Sequence, residues 1–172
     1  SDTTPTPNYP TFNYILPYNE ASIIDRSDLK LYFEEGTFYE NIYANIQAVY
    51  DGSNDVYSPT FHIDNNNIPI HKSYEIKIAP NRFFDKSLTS KLYIGSCENG
   101  KSSYVGGQWE ADFLTAKTRN FGDFAILLDT ISPVIKPIDF KGSTQKSPRL
   151  AFKITDKETG IKTYNAYVDG NW

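Results

Sequence analysis

Between Leu29 and Leu128 apolar residues recur at every second position in short runs, and each run soon meets Gly, Pro, Asn or Asp. A period of two sends successive side chains to opposite faces, which is the signature of a half-buried strand. "NIYANIQAVY" (41–50) sets Ile42, Ala44, Ile46 and Ala48 against Tyr43, Asn45 and Gln47. "SYEIKIA" (73–79) sets Tyr74, Ile76 and Ile78 against Glu75 and Lys77. "LKLYF", "KLYIGS" and "GQWEADFLTA" repeat the pattern, and "EEGTFYE" and "DGSND" supply turns. "DFAILL" (123–128) is apolar throughout, as for a strand covered on both faces.

This spacing predicts an all-β fold, an antiparallel β-sandwich of about seven or eight strands. Its expected core includes Ile42, Ile46, Ile76, Ile78, Trp109 and Phe113. Helical turns are expected only near Ala21 to Asp28 and Arg82 to Leu88. The aromatic load agrees with strands: Tyr 13, Phe 11 and Trp 2 among 172 residues.

Three segments follow from composition. Residues 1–18, "SDTTPTPNYPTFNYILPY", are rich in Pro and Thr and read as a linker. Residues 19–130 form the sandwich. After Leu128, Ser132-Pro133 breaks the ladder, because proline cannot donate to it. A fresh series then begins with "VIKPIDF", "RLAFKITD" and "KTYNAYVDG". Asp129 to Pro133 is therefore the expected joint, and 131–172 a partial β unit with fewer strands than a sandwich needs.

The net charge of −4, with Lys and Arg scattered, argues against a nucleic-acid surface. No apolar run reaches the roughly 20 residues of a membrane-spanning helix. The chain starts at Ser1-Asp2 and contains no Met, so it reads as a mature form or a piece of a longer protein. The single cysteine, Cys97, excludes an internal disulfide and a cysteine zinc site, and reads as a small core residue.

No constellation in the sequence demands a reaction. His62 and His71, with Asp64, sit in "FHIDNNNIPIHK" without an evident third metal ligand, and read as strand-end histidines on a polar hairpin. Asp51, Asn54 and Asp55 lack calcium-loop spacing and read as a solvated turn. Glu110 and Asp112 fall on the solvent phase of their strand. Catalytic residues, bound cofactors and metal ligands are all expected to be none in this chain. Sugars stack on flat rings, and Tyr39, Tyr43, Tyr57 and Tyr104 are the candidate ligand-binding residues.

Several stretches together resemble a known family: "LYFEEGTFYENIY", "YSPTFHI", "IPIHKSYEIKI", "GGQWEADFLTAKTRNFGDFAILLDTISPVIKP" and "FKITDKETGIKTYNAYVDGNW". In order they resemble the C-terminal β-sandwich region of lysostaphin-type zinc metallopeptidases of the Bacteroidetes cell envelope. The opening of the first module also looks like the sandwich domains of ankyrins and netrin receptors. "ITDKETGIKTYNAYVDG" is similar to bacterial immunoglobulin-like repeats, with Thr159 where those carry Ser. Those peptidases ligate zinc through His-x-x-x-Asp and His-x-His. Here Asn66 lies four residues after His62, Glu75 four after His71, and no His-x-His exists.

The resemblance thus implies a sandwich followed by a partial immunoglobulin-like β unit, serving as a non-catalytic accessory region. Zinc is implied only in a catalytic domain upstream. The implied partners are cell-wall peptidoglycan, a glycan or another envelope protein, and the implied location is extracytoplasmic, in the periplasm or at the cell surface. The alternative is a cell-surface adhesin or carbohydrate-binding module.

Overall fold

The computed structural model describes residues 12–50, 52–138, 151–161, 163–167 and 170. Among the described residues, twelve strands lie in the first of two compact units, Ser1–Leu128. They are β1 (Tyr14–Leu16), β2 (Ser22–Asp25), β3 (Leu29–Phe33), β4 (Ile42–Ala44), β5 (Ile46–Val49) and β6 (Thr60–Ile63). After them come β7 (Tyr74–Ile78), β8 (Leu92–Glu98), β9 (Lys101–Gly106), β10 (Gln108–Glu110), β11 (Phe113–Thr118) and β12 (Gly122–Leu128). A 3-10 turn, Lys86–Lys91, precedes β8.

Two five-stranded sheets, β10-β11-β7-β3-β2 and β5-β6-β12-β8-β9, carry the fold, and β1 pairs with β4 beside them. Every pairing is antiparallel. The architecture is an antiparallel β-sandwich. Its core takes alternate residues from the strands: Leu29, Leu31 and Phe33; Tyr74, Ile76 and Ile78; Phe61 and Ile63; Leu114 and Ala116. β12 is central in its sheet, and Phe124, Ala125 and Ile126 are consecutively buried, as the unbroken apolar run requires.

One corner of the sandwich depends on glycine. β9 belongs to one sheet and β10 to the other, with Gly107 alone between them. A Cβ on Gly106 would stand 2.7 Å from the Cβ of Ala116, and one on Gly107 3.2 Å from the Leu92 carbonyl. The first of these contacts excludes a side chain at Gly106 against β11, and the second is tight against β8.

Several expectations need correction. Ala21 to Asp28 holds strand β2, not a helical turn, because Ile23 and Ile24 point to opposite faces and Ile24 enters the core. The linker reading of 1–18 fails at Tyr14–Leu16, which pair with β4 and bury Leu16; residues 1–11 lie outside the described residues. The alternation of 41–50 has the right phase, but the run is divided at Asn45, with β4 and β5 in different sheets. "GQWEADFLTA" is a hairpin, not one strand. Ala111 takes φ +52° at its turn. Trp109 then stands opposite Leu114, and Glu110 opposite Phe113. Trp109 and Phe113 consequently face opposite sides. Trp109 packs half-buried on the core, whereas Phe113 lies under the Lys30 ammonium, 5.2 Å from its ring centre.

The second unit is Asp129–Trp172. It holds β13 (Val134–Pro137) and β14 (Phe152–Thr155), paired antiparallel. Residues 163–167, part of the third strand signal, form no strand. The turn after β14 is organised by Asp156, whose carboxylate accepts from the backbone N–H groups of Glu158, Thr159 and Gly160 at 2.9–3.0 Å. The Thr159 hydroxyl donates to Asp129.

Two expected outcomes test this architecture. Phe33 is fully buried among Phe38, Tyr74 and Phe121, so Phe33→Ala should lower unfolding free energy by about 3–5 kcal/mol in denaturant titration. A loss under 1 kcal/mol would show that the ring cluster is not a packed core. A two-stranded sheet is marginal by itself in water. Residues 12–128 expressed alone should therefore unfold cooperatively, and residues 129–172 alone should show no cooperative transition. Failure of the 12–128 fragment to fold would show that its core needs the second unit.

Candidate functional site

Among the described residues of the first unit, two depressions stand out, at opposite ends of the strands. One gathers at the start of β12 and the ends of β6 and β8 and encloses about 670 Å³. Across its floor runs a cross-strand row of chemically capable side chains. Asp123 stands opposite His62 on one side and opposite Cys97 on the other. Residues directly opposite in a ladder share a face, so all three lie on the outer face of the sheet. His62 Nδ1 and Asp123 Oδ1 are 2.6 Å apart.

The order of this row decides its chemistry. A cysteine nucleophile needs a base within hydrogen-bond reach. Here the carboxylate stands between thiol and imidazole, and adjacent strands lie about 4.8 Å apart, so His62 and Cys97 are about 10 Å from each other. Burial pushes the Cys97 thiol up from its usual pKa, and the Asp123 charge pushes it further the same way. Both effects favour the thiol over the reactive thiolate.

The surrounding carboxylates are engaged in local structure. Asp64, at φ +45°, accepts from the Asn45 backbone N–H at 3.0 Å and from that of Asn65 at 2.6 Å. Asn66 donates to Glu98 at 3.1 Å. Among the described residues no group of three or more His, Cys, Asp or Glu side chains is arranged to hold a metal ion. His62 lies within β6 rather than at its end, and His71 meets the Tyr39 hydroxyl at 3.2 Å. In the turn read as solvated, the Asn54 carbonyl accepts from Arg82 and the Asp55 carbonyl from Leu128 N–H, while Asp51 lies outside the described residues.

The second depression lies where β7 ends and β8 begins, and encloses about 680 Å³. Its walls are apolar. Phe84 and Trp109 stack at 5.7 Å with 28° between their planes. Phe83 is 95% exposed. Both neighbours of this Phe-Phe pair are pinned. The Arg82 guanidinium lies 4.6 Å from the centre of the Tyr57 ring and donates to the Asn54 carbonyl at 3.2 Å. Asp85 caps the 3-10 turn by accepting from Ser87 N–H at 2.8 Å. That turn places the Thr89 carbonyl 2.9 Å from Trp109 Nε1, which fixes the indole.

The four tyrosines do not form one surface. Tyr57 is buried, because its ring packs edge-on to Phe84 beneath Arg82. Tyr39, Tyr43 and Tyr104 are exposed and rest against His71, Phe12 and Tyr93 respectively. Cys97 is half-buried on the outer face rather than in the core. Sequence reasoning missed Phe83 and Phe84. The signal was "PNRFFDK", two adjacent rings inside a polar turn, where opposed side-chain directions leave one ring outside.

The Cys97 environment yields a pH-dependent expectation. A raised thiol pKa means less thiolate at pH 7, so alkylation of Cys97 by iodoacetamide should be slower than for a free cysteine and should rise towards higher pH. Asp123→Asn removes the second cause of the shift and should speed the reaction roughly two- to fivefold at pH 7. Equal rates in both proteins would show that Asp123 does not act on the thiol.

No curated protein matches the chain. Residues 13–129 match the Zu5-like domain. The match spans well over half of the 172 residues and coincides with the sandwich. The chain therefore belongs to the Zu5-like domain family.

Proposed function

We propose that this chain is a non-catalytic accessory module of a cell-envelope peptidase of the lysostaphin type, positioning the enzyme by binding cell wall or a partner protein outside the cytoplasm. Two things support the reading. One is the ordered resemblance of five stretches to the accessory region of such enzymes. The other is the serial build, in which a complete sandwich ends at Leu128 and a second unit starts at Asp129. The observation that carries a binding role is the second depression, where the Trp109 indole is fixed by its hydrogen bond to the Thr89 carbonyl, Phe84 stacks on it, and Phe83 stands in solvent. Binding sites combine this kind of apolar wall with a few fixed polar groups.

The alternative, a surface adhesin or carbohydrate-binding module, rests on the same exposed ring. Among the described residues no helix is long and apolar enough to cross a membrane.

The purified chain should co-sediment with cell-wall sacculi, cleave no peptide cross-link, and carry no stoichiometric zinc. Its presence in the supernatant at every sacculus concentration would overturn the wall-binding form of the proposal. One tightly held zinc per chain, lost in His62→Ala, would overturn the non-catalytic one.

A further inference from the structure

We infer that the Phe83–Phe84–Trp109 depression is a binding site for an uncharged pyranose chain. This rests on the reading of the chain as a wall-binding module and names the ligand of that site.

A ring as exposed as Phe83 leaves a large apolar face in water, and such surfaces mark interaction sites when they adjoin an apolar cleft. Two of the three rings are also preorganised. Trp109 is fixed by the Thr89 carbonyl, and Phe84 lies between Trp109 and the edge of Tyr57. A ligand stacking here orders few side chains as it binds, which lowers the entropic cost of association.

The rim selects among flat ligands. Arg82 and Lys86 supply two positive charges, and Asp85 and Asp112 two negative ones, so the depression carries no net charge. Two of the four are already committed: Arg82 to the carbonyls of Asn54 and its neighbours, Asp85 to the Ser87 N–H. A charged ligand gains no net field. An apolar peptide would match the walls with its side chains, but could meet Lys86 and Asp112 only through its backbone groups. A pyranose ring presents an apolar C–H face to the aromatic rings and an equator of hydroxyls to the rim. It satisfies both halves of the site.

The test uses the full chain and its Phe83→Ala variant, a substitution at a side chain too exposed to matter for folding. The probes are chitohexaose and cellohexaose in calorimetry, with sacculus sedimentation and light scattering in parallel. Chitohexaose or cellohexaose should bind the wild type, and Phe83→Ala should weaken binding by about tenfold or more at an unchanged melting temperature. Sacculi that sediment both proteins equally, with neither oligosaccharide bound, would overturn the glycan site while leaving the wall-binding module intact. If nothing binds the wild type in either assay, both readings fall. A wild-type dimer that Phe83→Ala abolishes would make a second copy of the chain the occupant and overturn the glycan proposal.

Discussion

Four aromatic rings tie the two sheets together, and the polar end of the molecule depends on them. Phe33 on β3 and Tyr74 on β7 come from one sheet, and Phe121 leads into β12, the central strand of the other. Phe38 packs on Phe33 and Phe121 from the loop that bridges to Ile70. Ring centres lie 4.7–6.4 Å apart in tilted and edge arrangements, the geometry that aromatic quadrupoles favour. The Tyr74 hydroxyl then crosses from its sheet to donate to the Asn120 carbonyl at 3.0 Å. Full burial pushes the Tyr74 pKa far above that of a free phenol, so the hydroxyl remains a donor. Gly122 follows at φ +128°, a conformation that side-chain-bearing residues rarely adopt. The row of Cys97, Asp123 and His62 therefore hangs from a strand whose first residues are set by this cluster.

That row shows why a list of chemically capable residues is not a site. Cysteine, histidine and aspartate meet on one face within two strand spacings. Their order across the ladder, with the carboxylate in the middle, joins imidazole to carboxylate and isolates the thiol. The strand order β6-β12-β8 fixes that order, and the register brings the three residues level. A slip of one residue in β8 would send Cys97 to the opposite face of the sheet.

The fold class was legible because burial writes itself into a two-residue period. β3, β5 and β7 carry their core residues where the alternation puts them. What the alternation cannot show is where a strand changes sheets. Asn45 continues the pattern of its neighbours, yet β4 and β5 separate there. Ala111 is the harder case. A residue with a Cβ at φ +52° gives no turn signal, so the β10–β11 hairpin read as one strand, and Phe113 was assigned to the core face that Trp109 occupies. Tyr57 looked like a surface ring because its neighbours are polar. Its burial depends on Arg82 and Phe84, which lie more than twenty residues away. Little of the aromatic depression was legible, since its walls come from two turns distant in sequence.

The two ends of the sandwich differ because different structures cap them. At the polar end, strands run into Asp64, Asn65 and Asn99, whose short side chains tolerate left-handed backbone or bond to nearby N–H groups. At the other end the chain leaves β7 at Ala79-Pro80 and cannot extend the ladder, because proline lacks the donor. It returns to β8 through a 3-10 turn of only six residues. Phe83 and Phe84 are adjacent in the stretch before that turn, and their side chains take different directions. Phe84 takes the inward direction against Tyr57 and Trp109, and its neighbour is left outside. The exposure of Phe83 is thus a geometric consequence of closing the sandwich over Phe84. Replacing Phe84 by a small side chain would remove the surface on which Trp109 stacks and would disturb the depression, whereas replacing Phe83 alters the surface alone.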